Sequence, residues 1–433
     1  MKNGIATIKK ILKGIAIFFA MIALFCLLLT LSYALPNTRI RKNLAESVET
    51  IKSEGGFYYK PFFGTQNVLS DSYTLDDYTD SLILGIALDK GENQGKNIFD
   101  RALENYKYQD DEKGPIESFA NAIDDSNEAN SNYTRYWFGI ETFLRPLLLF
   151  FNFQTIRYIN MILIFILLMI STILISKKIG LKYAIAFDVM LFFMGITIIP
   201  VSLQYIPVMA ITLIASIVIL CCENNKQFDD FLPYFFIGIG GWTAFMDLLT
   251  YPLVTLGIPV VLVLLLKLKH GSTFKELIIT IIKLSVIWGM SYGATYLIKW
   301  IITSIVMGQN VVIEAINQFL YRADVGGTTK ISKIEVIAKN FKIYFNKFVL
   351  GLLILYLIFW IIGIKKYKKE NIKAKEIMPL ILWALIPYGW YLVLSNHSDI
   401  HCWMTYRIQA ITLFALLSAS LYVIDTDKIK ERK

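Results

Sequence analysis

Four carboxylates stand within ten residues in the run Asp71-Ser-Tyr-Thr-Leu-Asp-Asp-Tyr-Thr-Asp80. On a helix, Asp76 or Asp77 would share a face with Asp80 at i,i+4 or i,i+3. Such a cluster can raise one pKa for general-base work, or hold a divalent cation. The same run also fits a solvated acidic loop, because acidic surface runs are ordinary.

A second polar stretch lies far down the chain, from Asn396 to Arg407. Of the three histidines in the protein, two are here, His397 and His401, together with Asp399, Tyr406 and Arg407 between two apolar runs. Ionisable groups at membrane depth are costly and mark pathways or sites. Imidazole and a planar guanidinium suit a lipid-linked phosphate or pyrophosphate. Packing at a helix interface and zinc binding are the competing readings, although no Glu follows the first His as in the metalloprotease motif.

Further candidates are single residues. Asp247 is the lone carboxylate between two apolar helices, where it could equally be a helix end reaching water. Arg135, Arg145 and Arg157 lie on or near an aromatic segment, and snorkelling toward headgroups explains them as well as substrate binding does. Lys299 and Arg322 are weaker candidates on the same side. Glycine-rich phosphate loops, a Ser-His-Asp order and CxxC pairs are all absent from the sequence.

The elements that must position these residues are apolar. Of the 433 residues, 55% are hydrophobic and 18% charged, with mean hydropathy +0.53, which points to an all-α polytopic membrane protein. The net charge of +9 sits in short lysine clusters between apolar runs, the pattern of the positive-inside rule and not of nucleic-acid binding. Four cysteines, three of them in or beside apolar runs, supply no disulfide framework.

Taken in order, the pattern predicts about ten transmembrane helices with both termini in the cytoplasm. Residues 1–35 form the N-terminus and first span; 36–154 a large external loop with short interfacial helices; 155–298 spans two to seven; 299–347 a second external loop; 348–433 the last three spans and a lysine-rich tail. Tyr136 to Phe153 reads as an interfacial helix with its Trp and Tyr at headgroup level. The paired helices Tyr183 to Ile199 and Leu203 to Cys222 form a tight hairpin. This topology puts both polar stretches, Asp247 and residues 299–347 on one side.

With these residues in place, the chain resembles the GT-C superfamily of integral-membrane glycosyltransferases, which combine a cytoplasmic N-terminus, around ten or more spans and an acidic motif in a large first external loop. Here the carboxylates lie farther past the first span than is usual in that group. The resemblance implies transfer of a sugar from a polyprenyl-phosphate-linked donor to a glycan or lipid acceptor at the outer face of a bacterial plasma membrane. It implies a base among Asp76, Asp77 and Asp80, and a phosphate side at His397, His401 and Arg407. The runs Tyr133-Thr-Arg-Tyr-Trp-Phe-Gly, Phe143-Leu-Arg-Pro-Leu-Leu-Leu, Asp247-Leu-Leu-Thr-Tyr-Pro and Asn396-His-Ser are also similar to a set of uncharacterised bacterial multi-pass membrane proteins. A transporter or flippase for a lipid-linked glycan, and a non-catalytic component of polysaccharide assembly, are the alternatives from other classes.

Overall fold

A computed structural model describes residues 2–55, 57–59, 74–124, 126–223, 227–327, 332–370 and 372–425. Asp71 therefore lies outside the described residues. The chain is mostly helical, with two short antiparallel strand pairs: β1 (Phe57–Tyr59) with β2 (Thr74–Asp76), and β3 (Tyr106–Lys107) with β4 (Ser131–Asn132).

Among the described residues, six helical stretches are long and apolar enough to cross a membrane: Ile5–Tyr33, Phe153–Lys178, Phe274–Met307, Lys347–Tyr367, Ala374–Val393 and Cys402–Tyr422. The first three are α1 (Lys2–Tyr33), α7 (Phe153–Lys178) and α12 (Phe274–Met307). The other four expected spans appear as α8 (Leu181–Phe193), α9 (Ile206–Cys222), α10 (Phe228–Met246) and α11 (Val254–Lys269), which are shorter or carry acidic residues in the first turn. Most of α11 is buried on all sides, including Gly257, whose carbonyl accepts the Trp383 indole N–H at 2.9 Å. An apolar helix buried all round is a core element, and α11 is the pillar around which the others stand.

Between α1 and α7 the chain builds a polar layer at one end of the bundle. It contains α2 (Asn37–Glu54), α3 (Asp77–Ala87), α4 (Ile98–Glu104), α5 (Gly114–Ala122) and α6 (Glu141–Leu148). The layer is stitched down by buried polar contacts: Asn43 donates to the Leu148 carbonyl at 2.7 Å, and the Phe153 N–H donates to Ser47 Oγ at 2.9 Å. Beyond α12 come α13 (Val311–Arg322) and α14 (Lys333–Tyr344), then α15 (Lys347–Tyr367), α16 (Ala374–Trp383), α17 (Ile386–Val393), α18 (Ser395–Ile400), α19 (Cys402–Thr405) and α20 (Ala410–Tyr422).

Three local expectations change. Only Glu141–Leu148 of the aromatic segment is helical, and Trp137 and Phe138 are fully buried instead of lying at headgroup level. The Trp137 indole donates to the Thr295 carbonyl at 3.0 Å, and Gly139 sits so close to Phe245 that a Cβ there would meet its carbonyl oxygen at 2.5 Å. The segment is threaded into the bundle because it offers its aromatics a buried partner. Secondly, α12 runs on to Met307, so Lys299 belongs to a helix and not to a loop. Thirdly, the expected tight hairpin is a broad turn spanning residues 194–205, where Gly195 takes a left-handed φ of +80° and Pro200 sits in a short 3-10 segment.

Helix α10 packs tightly against α12, where Gly240 lies against the backbone of Trp288: a Cβ there would be 2.5 Å from its carbonyl oxygen. Small residues permit this approach. Gly240→Ala should therefore destabilise the protein by about 1–3 kcal/mol through overpacking. Gly238→Ala, where nothing lies within 4 Å of the added carbon, should change thermal stability little. Thermal unfolding of the two variants in detergent checks the contrast.

Candidate functional site

The acidic run folds as the start of a helix. Asp76 is the N-cap of α3 and accepts the Thr79 N–H at 3.0 Å and its hydroxyl at 3.1 Å. Ionised carboxylates in a first helical turn suit both the unpaired N–H groups and the helix dipole. Asp77 and Asp80 follow on one buried face, and all three carboxylates are at most 1% exposed. They are not a solvated loop.

Each carboxylate has its own anchor. Asp77 Oδ1 meets Arg157 of α7 at 2.9 Å, and the same guanidinium reaches Glu54 at 2.8 Å. Among the described residues, no hydrogen-bond donor reaches Asp77 Oδ2. Asp80 accepts the Leu203 and Gln204 N–H groups at 3.1 and 3.2 Å and the Ser202 hydroxyl at 3.2 Å, so the broad turn between α8 and α9 wraps it in donors. Burial raises the Asp77 carboxyl, as does the Asp80 charge beside it, and Arg157 opposes both. Burial likewise lifts Asp80 to about 7 against Arg157 and the two amides.

Asp76 faces the other polar stretch. The Trp403 indole donates to Asp76 Oδ2 at 3.3 Å, across 327 residues of sequence. The Trp403 carbonyl in turn accepts from Arg407 Nη1 at 2.8 Å. A second bridge runs through the broad turn: next to the amides on Asp80 stands Tyr205, whose ring lies 4.1 Å from the Arg407 guanidinium. Tyr406 and Tyr251 lie farther round it, at 4.9 and 5.9 Å. Arg407 is fully buried, and among the described residues its Nε and Nη2 have no hydrogen-bond partner and no carboxylate forms an ion pair with it. A buried cation with open donors is suited to an anion.

The histidines continue this seam. His397 and His401 lie 4.7 Å apart by ring centroid, and His401 is 5.2 Å from Trp403. Burial, and the Arg322 charge nearby, hold His401 down at about 4; burial, His401 and Arg322 hold His397 lower still. Both are neutral at pH 7. His397 Nε2 is 2.8 Å from the Leu249 carbonyl, which can only accept, so Nε2 carries the proton and Nδ1 is a bare, unpartnered acceptor. Leu249 itself holds a left-handed φ of +68°, a strained conformation for a branched residue.

Arg322 ends α13 and donates to the Tyr136 hydroxyl. With Arg135 it lines a cavity of about 300 Å³ walled by Tyr136, Tyr292, Trp300 and Trp390. Arg135 also pairs with Glu314.

Two predicted site residues lie elsewhere. Arg145 is fully buried in the polar layer, donating to the carbonyls of Ser32 (3.0 Å) and Ala87 and to Asn37. There it ties α1, α2, α3 and α6 together. Asp247 caps the turn after α10 by accepting the Thr250 N–H at 3.1 Å, and its carbonyl accepts the Tyr296 hydroxyl at 3.0 Å. Among the described residues, no group of three or more His, Cys, Asp or Glu is arranged to hold a metal ion. Trp403, Tyr205 and the Leu203 and Gln204 amides were not singled out from the sequence; Arg157 was read as a snorkelling or substrate-binding cation, and Arg322 as a weaker candidate.

No family model, curated protein or solved structure matches this chain.

Two outcomes follow from the carboxylate anchors. Arg157→Met leaves Asp77 without its counter-charge and should cost about 3–5 kcal/mol in thermal unfolding, the usual cost of breaking a buried pair. Asp80 is raised from 3.8 to about 7, so its contribution to stability is complete below pH 3.8 and is lost as pH rises to about 7. The unfolding temperature should fall across that window, and Asp80→Asn should flatten the slope.

Proposed function

We propose that the chain is an integral-membrane glycosyltransferase that moves a sugar from a polyprenyl-phosphate-linked donor to a glycan or lipid acceptor at the outer face of a bacterial plasma membrane. The observation that carries this reading is the placement of Trp403, which touches Asp76 through its indole and Arg407 through its carbonyl. Trp403 thus links a carboxylate to a guanidinium with open donors, the two kinds of group that a displacement at an anomeric carbon uses.

In the reaction, the acceptor oxygen attacks the anomeric carbon as its proton passes to Asp76. The bond between that carbon and the phosphate oxygen breaks, and its electron pair leaves with the polyprenyl phosphate, inverting the configuration. Arg407 receives the departing phosphate and stabilises the charge that develops on it. The Tyr205 ring covers the guanidinium and moves aside to admit it. Arg322 and neutral His401 extend the same anion-binding edge, and the aromatic cavity between Arg135 and Arg322 accommodates the first part of the carrier's chain. Asp77 and Asp80 are held by Arg157 and by backbone amides, which makes them positioning residues for Asp76.

The test reads donor consumption, which does not depend on knowing the acceptor. Purified protein in vesicles, with a membrane extract as acceptor source, is given a panel of polyprenyl-phosphate monosaccharides, and released polyprenyl phosphate is followed by mass spectrometry. Release above background is expected from at least one donor. Asp76→Asn should lower it by about 10²- to 10⁴-fold, the usual worth of a general base, while the unfolding temperature stays near wild type. Full activity in Asp76→Asn removes its role, and no release from any donor overturns the reading.

A further inference from the structure

Toward the end of the bundle away from the polar layer, α1, α10 and α12 line a groove of about 610 Å³. Its walls are apolar, built by Ile15, Phe18, Ile237, Met290 and Leu297 around Gly14. Several neighbouring side chains on these helices, Phe19, Ile282, Val286, Met290 and Leu297 among them, are exposed. Helices of this length and hydropathy expose such residues to lipid, so the groove opens into the hydrocarbon.

Charge gathers at one end of this groove and is unbalanced. Lys10 pairs with Asp230 at 2.6 Å, which cancels the one carboxylate lining it. Lys13 adds a second cation over the Tyr234 ring, 4.8 Å from its centroid. Lys283 is a third, close enough to act on Asp230. It stands nine residues into α12, about 13 Å along the helix axis, exposed, and no carboxylate among the described residues forms an ion pair with it. Next to it, Asp229 is already taken by Lys267 at 2.6 Å. An unpaired ammonium inside an apolar span is costly unless it snorkels or meets an anion.

We propose that this groove seats an anionic diacyl phospholipid from the leaflet at the lysine-rich end, with an acyl chain along the apolar wall and the phosphate between Lys283 and Lys10. The excess of cations selects an anionic headgroup, and the apolar wall selects a chain over a soluble phosphate. The site is independent of the polar seam and of any catalytic reading of it.

The test compares nanodiscs of phosphatidylcholine alone with nanodiscs containing phosphatidylglycerol, using native mass spectrometry after partial delipidation together with thermal unfolding. Phosphatidylglycerol should remain bound as a single adduct and raise the unfolding temperature. Lys283→Ala should lose at least tenfold in retained adduct and most of the thermal gain, whereas Lys283→Arg should keep both. Lys365→Ala, a lysine of α15 away from the groove, should behave as wild type, which separates a site from a general charge effect. Equal retention of phosphatidylcholine, unchanged binding in Lys283→Ala, or an equal loss in Lys365→Ala overturns the proposal.

Discussion

Burying three carboxylates at the start of one helix is the constraint on which the rest of this structure depends. Carboxylates removed from water must be given donors or counter-charges, or they stay protonated. Here the donors come from three distant stretches: Arg157 from α7, the Ser202 hydroxyl with the Leu203 and Gln204 amides from the turn before α9, and the Trp403 indole from the segment before α20. Satisfying α3 therefore pins the polar layer to the bundle at three points. The same requirement gives the broad turn its shape, since Asp80 can collect two backbone N–H groups only if the chain there is not helical.

Arg407 presents the opposite arrangement. Its charge is surrounded by tyrosine rings and one carbonyl, with two donor nitrogens left open. Cation–π contact offsets part of the cost of burying a guanidinium, but it does not use the N–H groups. The carboxylates at the start of α3 thus each have a donor or a counter-charge, while this cation keeps donors open. The left-handed Leu249, held by neutral His397, places backbone strain on the same seam.

Arginines that look alike along the chain do different things. Arg145 ties backbone carbonyls together inside the polar layer, Arg157 neutralises two carboxylates, and Arg322 walls an aromatic cavity beside the histidines. Each carries the same charge and the same planar fork. What separates them is which acceptors the fold brings within reach, because a guanidinium can donate to carbonyls, carboxylates and phosphates alike.

Local patterns settled what depends on local physics. Apolar runs of spanning length marked the membrane helices, and the i,i+3 spacing of Asp77 and Asp80 was readable as one helical face, as were the paired histidines between apolar segments. Burial was not readable. Trp137 sits in the core and not at an interface because α1, α10 and α12 supply a pocket for it, and α11 is a central pillar although its composition is that of any short span. Nor was the wiring of the seam: the backbone amides of Leu203 and Gln204 carry no residue signature, and Trp403 matters only because Asp76 arrives beside it from 327 positions away. The sequence by itself determined which segments leave water and which side chains can carry charge. The tertiary structure alone decided which charges are neutralised and which stay open, because pairing energies depend on distance and burial, and neither is a property of neighbours along the chain.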